Sequence, residues 1–430
     1  MEILEKSFSN RDRGAFSSSR SWVLALLIGL GMIPFASTLQ TPFLYDDAHA
    51  VVENRFTQDL APYPEAFGLE NLFNRPVLMF TFALNRTLGG LDVFGFHLVN
   101  LTLHVVTGLT LYCLAGELLA LIPAARRERF QGFPFLAAAI HLVHPLAMEP
   151  VAYLSGRSSL LATWFYLLGM LFLVRFFRKE DPAQGGPMGC LVLALGFFIL
   201  GCGTKAIILT LPVMGVVYLR LRFPQDFWTR LGPVAGLILV PLAIYLMLRT
   251  SQLGGAFTLP DDPDPVPLNR WLYFLTQVKA LVFYYLLKFL FPINQNFEPD
   301  IRLVTGAGEW EVLAAAAVLL GLALWVKAQR SPVLTFAALW IVVTLAPTSS
   351  LVPLKQIVSE HRFYLPGIGA CLAAAWVLCS LRLYARIRLP GALMILVACL
   401  LLTSARGADF RSEIALWADT AAKSPRKPLV

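Results

Sequence analysis

Apolar runs of roughly 20 residues recur from one end of this chain to the other, and they constrain its fold more than any other feature. Trp22–Leu39, Gly95–Leu121, Phe133–Leu154 and Leu160–Val174 are the first four. Inside a bilayer every backbone N–H and C=O must be satisfied within the protein, which leaves helices and closed barrels. Barrel strands alternate apolar and polar residues with period two, whereas Leu191–Leu200 and Ala314–Val326 are apolar without alternation. Hydrophobic residues make up 57% of the sequence and charged ones 14%, with a mean hydropathy of +0.66. An all-α polytopic membrane protein is therefore expected. The 28 Pro and 30 Gly fit helices that kink or stop at the bilayer edge. The six Cys lie in or beside apolar segments, without metal-ligand or disulfide-framework spacing, and read as core thiols. The net charge of +8 is no nucleic-acid signal, because the basic residues cluster at helix ends.

Positive-inside counting puts those clusters, at 126–129, 175–179, 220–230, 327–330 and 382–388, in the cytoplasm. Residues 1–21, with Arg11, Arg13 and Arg20, form a cytoplasmic tail before an uncleaved first span. A membrane domain over 22–404 follows, with an external loop at 40–94 and an external tail at 405–430. The short runs Met188–Gly203 and Ala206–Leu219 hinge on the outside at Thr204–Lys205. Both flanks of Trp271–Pro292 come out external, so that segment reads as re-entrant or interfacial, with Lys279, Lys288 and its aromatics at the interface. The expected total is about eleven spans, N-terminus inside and C-terminus outside. Such a chain is an integral, multi-pass protein of a prokaryotic plasma membrane or a eukaryotic endoplasmic reticulum.

The external loop opens with TPFLYDDAHAVVENR at Thr41–Arg55. Its adjacent carboxylates, Asp46 and Asp47, either cap the next helix in a solvated loop or supply a general base facing a membrane-embedded donor. Asp46 directly follows Phe43–Tyr45 and is the nearer to the membrane. On the next span His97, Asn100 and His104 form one helical stripe, suited to interhelical hydrogen bonds or, less well for want of a carboxylate at ligand spacing, to a metal. HLVHPLAMEP sets His141 and His144 one turn apart with Glu149 beyond. Zinc is one use of that set, but Pro145 breaks the helix and the HExxH order is missing. The simpler reading has Glu149 and Arg157 facing outward beside the acidic loop. Lys205 snorkels to the boundary or meets a phosphate. Arg362, in SEHRFYLPGIG, grips a phosphate in bidentate fashion or pairs with Glu360. Together these place Asp46, Asp47, Glu149, Arg157, Lys205 and Arg362 on one membrane face, as chemistry on a lipid phosphate requires.

FLYDDAHAVVENR, RPVLMFTFALN, FHLVNLTLHVV, HLVHPLAMEPVAYLSGRSSLLA, the Lys205 turn and EHRFYLPGIG, in this order, resemble the TMTC-type transmembrane O-mannosyltransferases. Those are GT-C glycosyltransferases, as are the protein O-mannosyltransferases, and the resemblance covers about Tyr45–Pro425. It implies a GT-C-like helical bundle, a polyprenyl-phosphate-linked sugar as donor, and inverting transfer of mannose or another hexose to a hydroxyl on the outer face. The family's acidic pair falls on Asp46 and Asp47, its later acidic position on Glu149, and its Lys-Glu turn on Lys205–Ala206. Ala206 thus stands where the family usually has Glu. EIALWADTAAKSPRKP resembles the opening of a tetratricopeptide array, but the chain stops at Val430. The acceptor is therefore open between a protein and a glycan, and a truncated copy is one reading.

The expectation is a membrane glycosyltransferase in which Asp46 or Asp47 is the general base and Glu149 a second acid that positions the acceptor. Arg157, Lys205 and Arg362 would hold the donor phosphate. Arg75, His97, Asn100, His104, His141, His144 and His361 would be supporting polar groups. No resident metal or other cofactor is expected, a divalent cation being the one group the carboxylates leave room for. The donor, an acceptor and the lipid bilayer are the expected partners, with no nucleic acid. A transporter or flippase, its polar groups lining a pathway, and an inactive membrane scaffold are the rival readings.

Overall fold

A computed structural model describes residues 21–58, 60, 75–178, 186–251, 269–349, 356–381 and 385–425, with backbone alone at 240–251 and 385–388. Residues 1–20, residues 59 and 61–74 of the expected external loop, the basic positions Lys179 and Arg382, and the last five residues lie outside the described residues. Every regular element among the described residues is a helix. The main ones are α1 (Ser21–Gln40), α2 (Pro76–Gly89), α3 (Val93–Leu121), α4 (Phe133–Val143), α5 (Met148–Ala152), α6 (Arg157–Phe176), α7 (Met188–Cys202) and α8 (Leu211–Arg222). After them come α9 (Phe227–Ser251), α10 (Arg270–Leu290), α11 (Trp310–Gln329), α12 (Pro332–Leu345), α13 (Tyr364–Ser380), α14 (Ala385–Arg406) and α15 (Glu413–Lys423).

Seven helices are long and apolar enough to cross a bilayer, and α4 with α5 makes an eighth if the bent pair is one span. The chain is an integral, multi-pass membrane protein. One of the seven is Arg270–Leu290, a continuous helix with a π-helical stretch at Leu281–Leu286. By length and composition it is a candidate span, where charge counting makes it re-entrant or interfacial. The two runs flanking Lys205 give helices too short to pass alone.

Burial ranks the bundle. The span carrying α6 has 78% of its apolar window inside the protein, and α11 has 11%. The centre is therefore α6 with α3 and α13, and α11 is a peripheral helix whose Leu313, Leu320 and Leu324 face the lipid. Small residues let central helices close up: a Cβ on Gly369 of α13 would sit 2.6 Å from the Ala337 carbonyl oxygen of α12. The bend between α4 and α5 is 57°. Pro145 lacks an N–H and disfavours helical geometry at His144, which is extended at φ −76° and ψ 130°. That break turns Glu149 inward, away from the line of α4.

The two ends of the bundle differ. α3 begins beside His97 and ends near Glu117, which pairs with Arg175 at the far end of α6. Arg129 caps α13 through the carbonyls of Cys379 and Ser380. The acidic loop, the α4–α5 bend, the Lys205 turn and the segment 357–362 gather at the opposite end. There α15 docks too, with Arg406 bonding Asp409 at 2.6 Å and Asp419 at 2.9 Å, and Leu416 and Thr420 buried. The segment expected to be an external tail is packed against the membrane domain as far as Ser424.

Candidate active site

The two adjacent aspartates diverge. Tyr45 adopts the left-handed region at φ +46°, a costly conformation for a bulky residue, and its ring is held edge-on by Trp417 at 5.4 Å and Phe297 at 6.0 Å. Asp47 turns inward and is fully buried. Its Oδ2 accepts the N–H groups of Leu44 at 3.1 Å and Leu154 at 3.3 Å. Its Oδ1 accepts the N–H and the hydroxyl of Ser155, both at 2.8 Å. Burial pushes this carboxyl up to about 6, against the opposing pull of those hydrogen bonds. Asp47 does not cap the turn Ala48–Val52 that follows it; it pins the loop to the turn that starts α6. Gly156 makes that turn possible, since a Cβ there would lie 2.7 Å from the Pro150 carbonyl oxygen. Asp46 is exposed; its backbone carbonyl accepts the Ala50 N–H at 2.7 Å, and its carboxylate makes no hydrogen bond or ion pair among the described residues.

Glu149 is 2% exposed, so it does not face outward. Its Oε1 lies 2.6 Å from His361 Nδ1, and its Oε2 accepts the His361 N–H at 3.2 Å. The Ser359 hydroxyl adds a third contact at 3.3 Å. Glu360, next in sequence, points the other way and accepts from the Tyr284 hydroxyl at 2.8 Å and the Asn296 N–H at 2.9 Å. The expected competing pair between Glu360 and Arg362 is therefore not formed. Arg362 donates to the Ile357 carbonyl at 3.4 Å and makes no ion pair among the described residues.

Arg362, His361 and Lys205 line one small pocket with Ser159, Thr348 and Leu365. Lys205 is extended at the break after α7, and its ammonium donates to Ser159 Oγ at 2.9 Å. Burial, then repulsion from Arg75 and Arg362, pushes Lys205 down to about 7, partly offset by Glu149. Arg75 is left-handed at φ +57° and opens α2, where the Val77 N–H bonds the Gly203 carbonyl at 3.0 Å. Three cations thus share one neighbourhood with Glu149, and phosphate is the anion they suit.

Arg157 lies elsewhere. It is fully buried, with Nε on Asn100 Oδ1 at 2.7 Å, Nη1 on Asn85 Oδ1 at 2.7 Å and Nη2 on the Phe96 carbonyl at 2.9 Å. Its guanidinium also lies 4.3 Å from the Phe82 ring centroid. It neither faces outward nor lines the Lys205 pocket, because its hydrogen bonds hold α2, α3 and α6 together.

The stripe on α3 forms interhelical hydrogen bonds. His97 Nε2 is 2.8 Å from the Thr41 carbonyl, Asn100 Nδ2 donates to the Val151 carbonyl, and His104 Nδ1 is 2.8 Å from the Tyr364 hydroxyl. His144 spans the bend, accepting the Leu146 N–H at Nδ1 and placing Nε2 3.0 Å from the Phe289 carbonyl. His141 packs its ring 5.2 Å from His104 and 5.0 Å from Tyr364. With Glu149 on His361, the zinc set His141–His144–Glu149 is not assembled, and no metal-binding trio of His, Cys, Asp or Glu occurs among the described residues.

Sequence reading missed Ser155, Ser159 and Ser359, the hydroxyls that seat Asp47, Lys205 and Glu149. A serine in an apolar run carries no mark of its partner. Asp47→Asn would present an amide N–H₂ to N–H donors, so it should cost about 1–3 kcal/mol of stability. Thermal melting in detergent checks this: a clear drop is expected for Asp47→Asn and none for Asp46→Asn.

No protein-family model matches the chain. It is similar to protein O-mannosyl-transferase F38B6.6 of Caenorhabditis elegans, 24% identical over 427 residues, covering 95% of this chain and 58% of that protein. Human protein O-mannosyl-transferase TMTC4 is 25% identical over 415 residues, covering 82% of this chain and 54% of its own. Human TMTC1 is 31% identical over 208 residues, covering 45% and 22%. A crystal structure of ArnT from Cupriavidus metallidurans bound to undecaprenyl phosphate has a TM-score of 0.45 and 16% identity, over 94% of this chain and 76% of that one. The chain spans little more than half the length of the worm and human TMTC4 proteins. Over most of its own length it is a distant relative of the TMTC-type protein O-mannosyl-transferases.

Proposed function

We propose that this chain is an inverting membrane glycosyltransferase of the GT-C type, moving a hexose from polyprenyl phosphate to an acceptor hydroxyl. One observation carries the reading: at a single end of the bundle, an exposed carboxylate on a strained turn accompanies a small pocket rimmed by Lys205, His361 and Arg362. The similar worm and human proteins are named protein O-mannosyl-transferases, which favours mannose as the sugar and a protein hydroxyl over a glycan as acceptor. Seven long apolar helices and the bent pair, with shorter apolar helices between them, suit a GT-C-like bundle. The site end faces the outside of the cell or the lumen of the endoplasmic reticulum.

In this mechanism Asp46 is the base, because it is the acidic residue of the pair whose oxygens are free. It takes the acceptor's hydroxyl proton as that oxygen bonds to the anomeric carbon. The bond from that carbon to the phosphate oxygen breaks on the opposite face, and its electron pair leaves with the phosphate. One displacement inverts the centre and needs no covalent intermediate on the enzyme. Lys205 and Arg362, with Arg75 near them, offset the charge growing on the phosphate, in a partly desolvated pocket where such contacts are strongest. Asp47 holds the loop, and Arg157 holds the helices beneath it.

Two measurements bear on this. Asp46→Asn keeps size but cannot take a proton, so transfer should fall by about 100-fold or more with donor binding retained; full activity would remove Asp46 as the base. Lys205, with its pKa near 7, carries its charge below that pH and loses it above. Affinity for undecaprenyl phosphate should therefore decline as pH rises past about 7. Lys205→Arg, which stays charged, should flatten the curve. An equally steep decline in Lys205→Arg would take Lys205 out of the phosphate site.

A further inference from the structure

We propose that Glu149 acts through His361, holding its imidazole at the pocket rim so that, with a lipid phosphate bound, Nε2–H donates to the departing phosphate oxygen. This rests on the donor-site reading above, and it replaces the sequence expectation that Glu149 positions the acceptor.

The geometry points away from the acceptor. Both Glu149 oxygens are occupied, Oε1 by His361 Nδ1 at 2.6 Å and the Ser359 hydroxyl at 3.3 Å, and Oε2 by the His361 N–H at 3.2 Å. The carboxylate is 2% exposed, so an acceptor hydroxyl has no route to it that leaves those bonds in place. Three contacts converge on one short segment, fixing both its backbone and its ring. Such an arrangement is what orients a histidine for work at its other nitrogen. His361 is partly exposed and lines the pocket together with Lys205 and Arg362. Glu360, the other carboxylate nearby, is turned away onto Tyr284 and Asn296.

The charges facing the ring are Glu149 from α5, Lys205 from the turn after α7 and Arg362 from its own segment. His361 Nδ1 lies 2.6 Å from both Glu149 Oε1 and Ser359 Oγ; with its hydrogen on the side of the carboxylate, the stronger acceptor, Nε2 gains a hydrogen only when the ring takes up a proton from solvent. An entering phosphate anion supplies the reason, since it offsets the two neighbouring cations and accepts the new N–H. As the bond between the anomeric carbon and the phosphate oxygen breaks, its electron pair goes to that oxygen. The proton stays on the imidazole as a hydrogen bond, and the acceptor's proton goes to Asp46. Glu149 is thus a positioning residue, and His361 the group that meets the phosphate.

The test uses the full chain in detergent, with undecaprenyl phosphate as a competitive inhibitor of transfer. Glu149→Gln and His361→Gln should each weaken its inhibition about 10-fold or more, the scale of one charge-assisted hydrogen bond, and lower kcat while leaving acceptor KM unchanged. The double variant should be no worse than His361→Gln alone, because both remove one interaction. Multiplying effects, or a raised acceptor KM in Glu149→Gln, would overturn the proposal and return Glu149 to the acceptor. So would wild-type inhibition in both variants. If Glu149→Gln fails to fold, His361→Gln decides by the same two constants. If the wild-type protein is not inhibited at all while Arg362→Ala also behaves as wild type, the donor-site reading fails, and this inference with it.

Discussion

Arg157 is the interaction on which the rest of the Asp46 end of the bundle depends. A buried guanidinium is costly unless its donors are met, and here side chains and carbonyls from α2 and α3 meet them. Asn100 accepts from Arg157 and donates to Val151, in the short helix that carries Glu149. One turn earlier on α3, His97 holds the Thr41 carbonyl just ahead of the acidic loop. The loop returns to α6 through Asp47, whose carboxylate is also the charge acting most directly on Arg157. Loop, bend and central helix thus share one polar network, in a region where no water replaces a missing partner.

That network explains the division of labour between two neighbouring aspartates. Asp47 is committed to four donors and cannot serve an acceptor without releasing the loop. Asp46 stays free because Tyr45, wedged against Trp417 and Phe297, takes the left-handed conformation that turns the chain. Trp417 belongs to α15, so the last described helix braces the turn that presents the free carboxylate. The same helix reaches the other side of the site: Ser424 bonds Asn296, which bonds Glu360 next to His361.

Much of this was legible in the sequence, for physical reasons. Apolar runs near 20 residues without alternation suit membrane helices and not barrel strands, so the helical class followed from length, composition and period. The break at Pro145 followed from proline's missing N–H. That Asp46, Glu149, Lys205 and Arg362 share an end followed from where each lies along its run. What stayed hidden was direction. Glu149 and Arg157 are eight residues apart in the chain, and nothing in their spacing says that one turns to the segment just ahead of α13 and the other to α2 and α3. Charge counting and helix length also give different readings of α10, re-entrant or interfacial on the first and a candidate span on the second; its Lys279 is paired with Glu311 of α11.

The central claim is that the polar groups of this bundle converge on one lipid-phosphate site at the Asp46 end. Photo-crosslinking with a polyprenyl phosphate carrying a diazirine beside the phosphate tests it most directly. The label should map to the pocket wall, at Ser159, Ile207, Thr348 or Leu365, and excess undecaprenyl phosphate should displace it. Label confined to the opposite end, around Arg220, Phe223 and Arg230, would contradict the account.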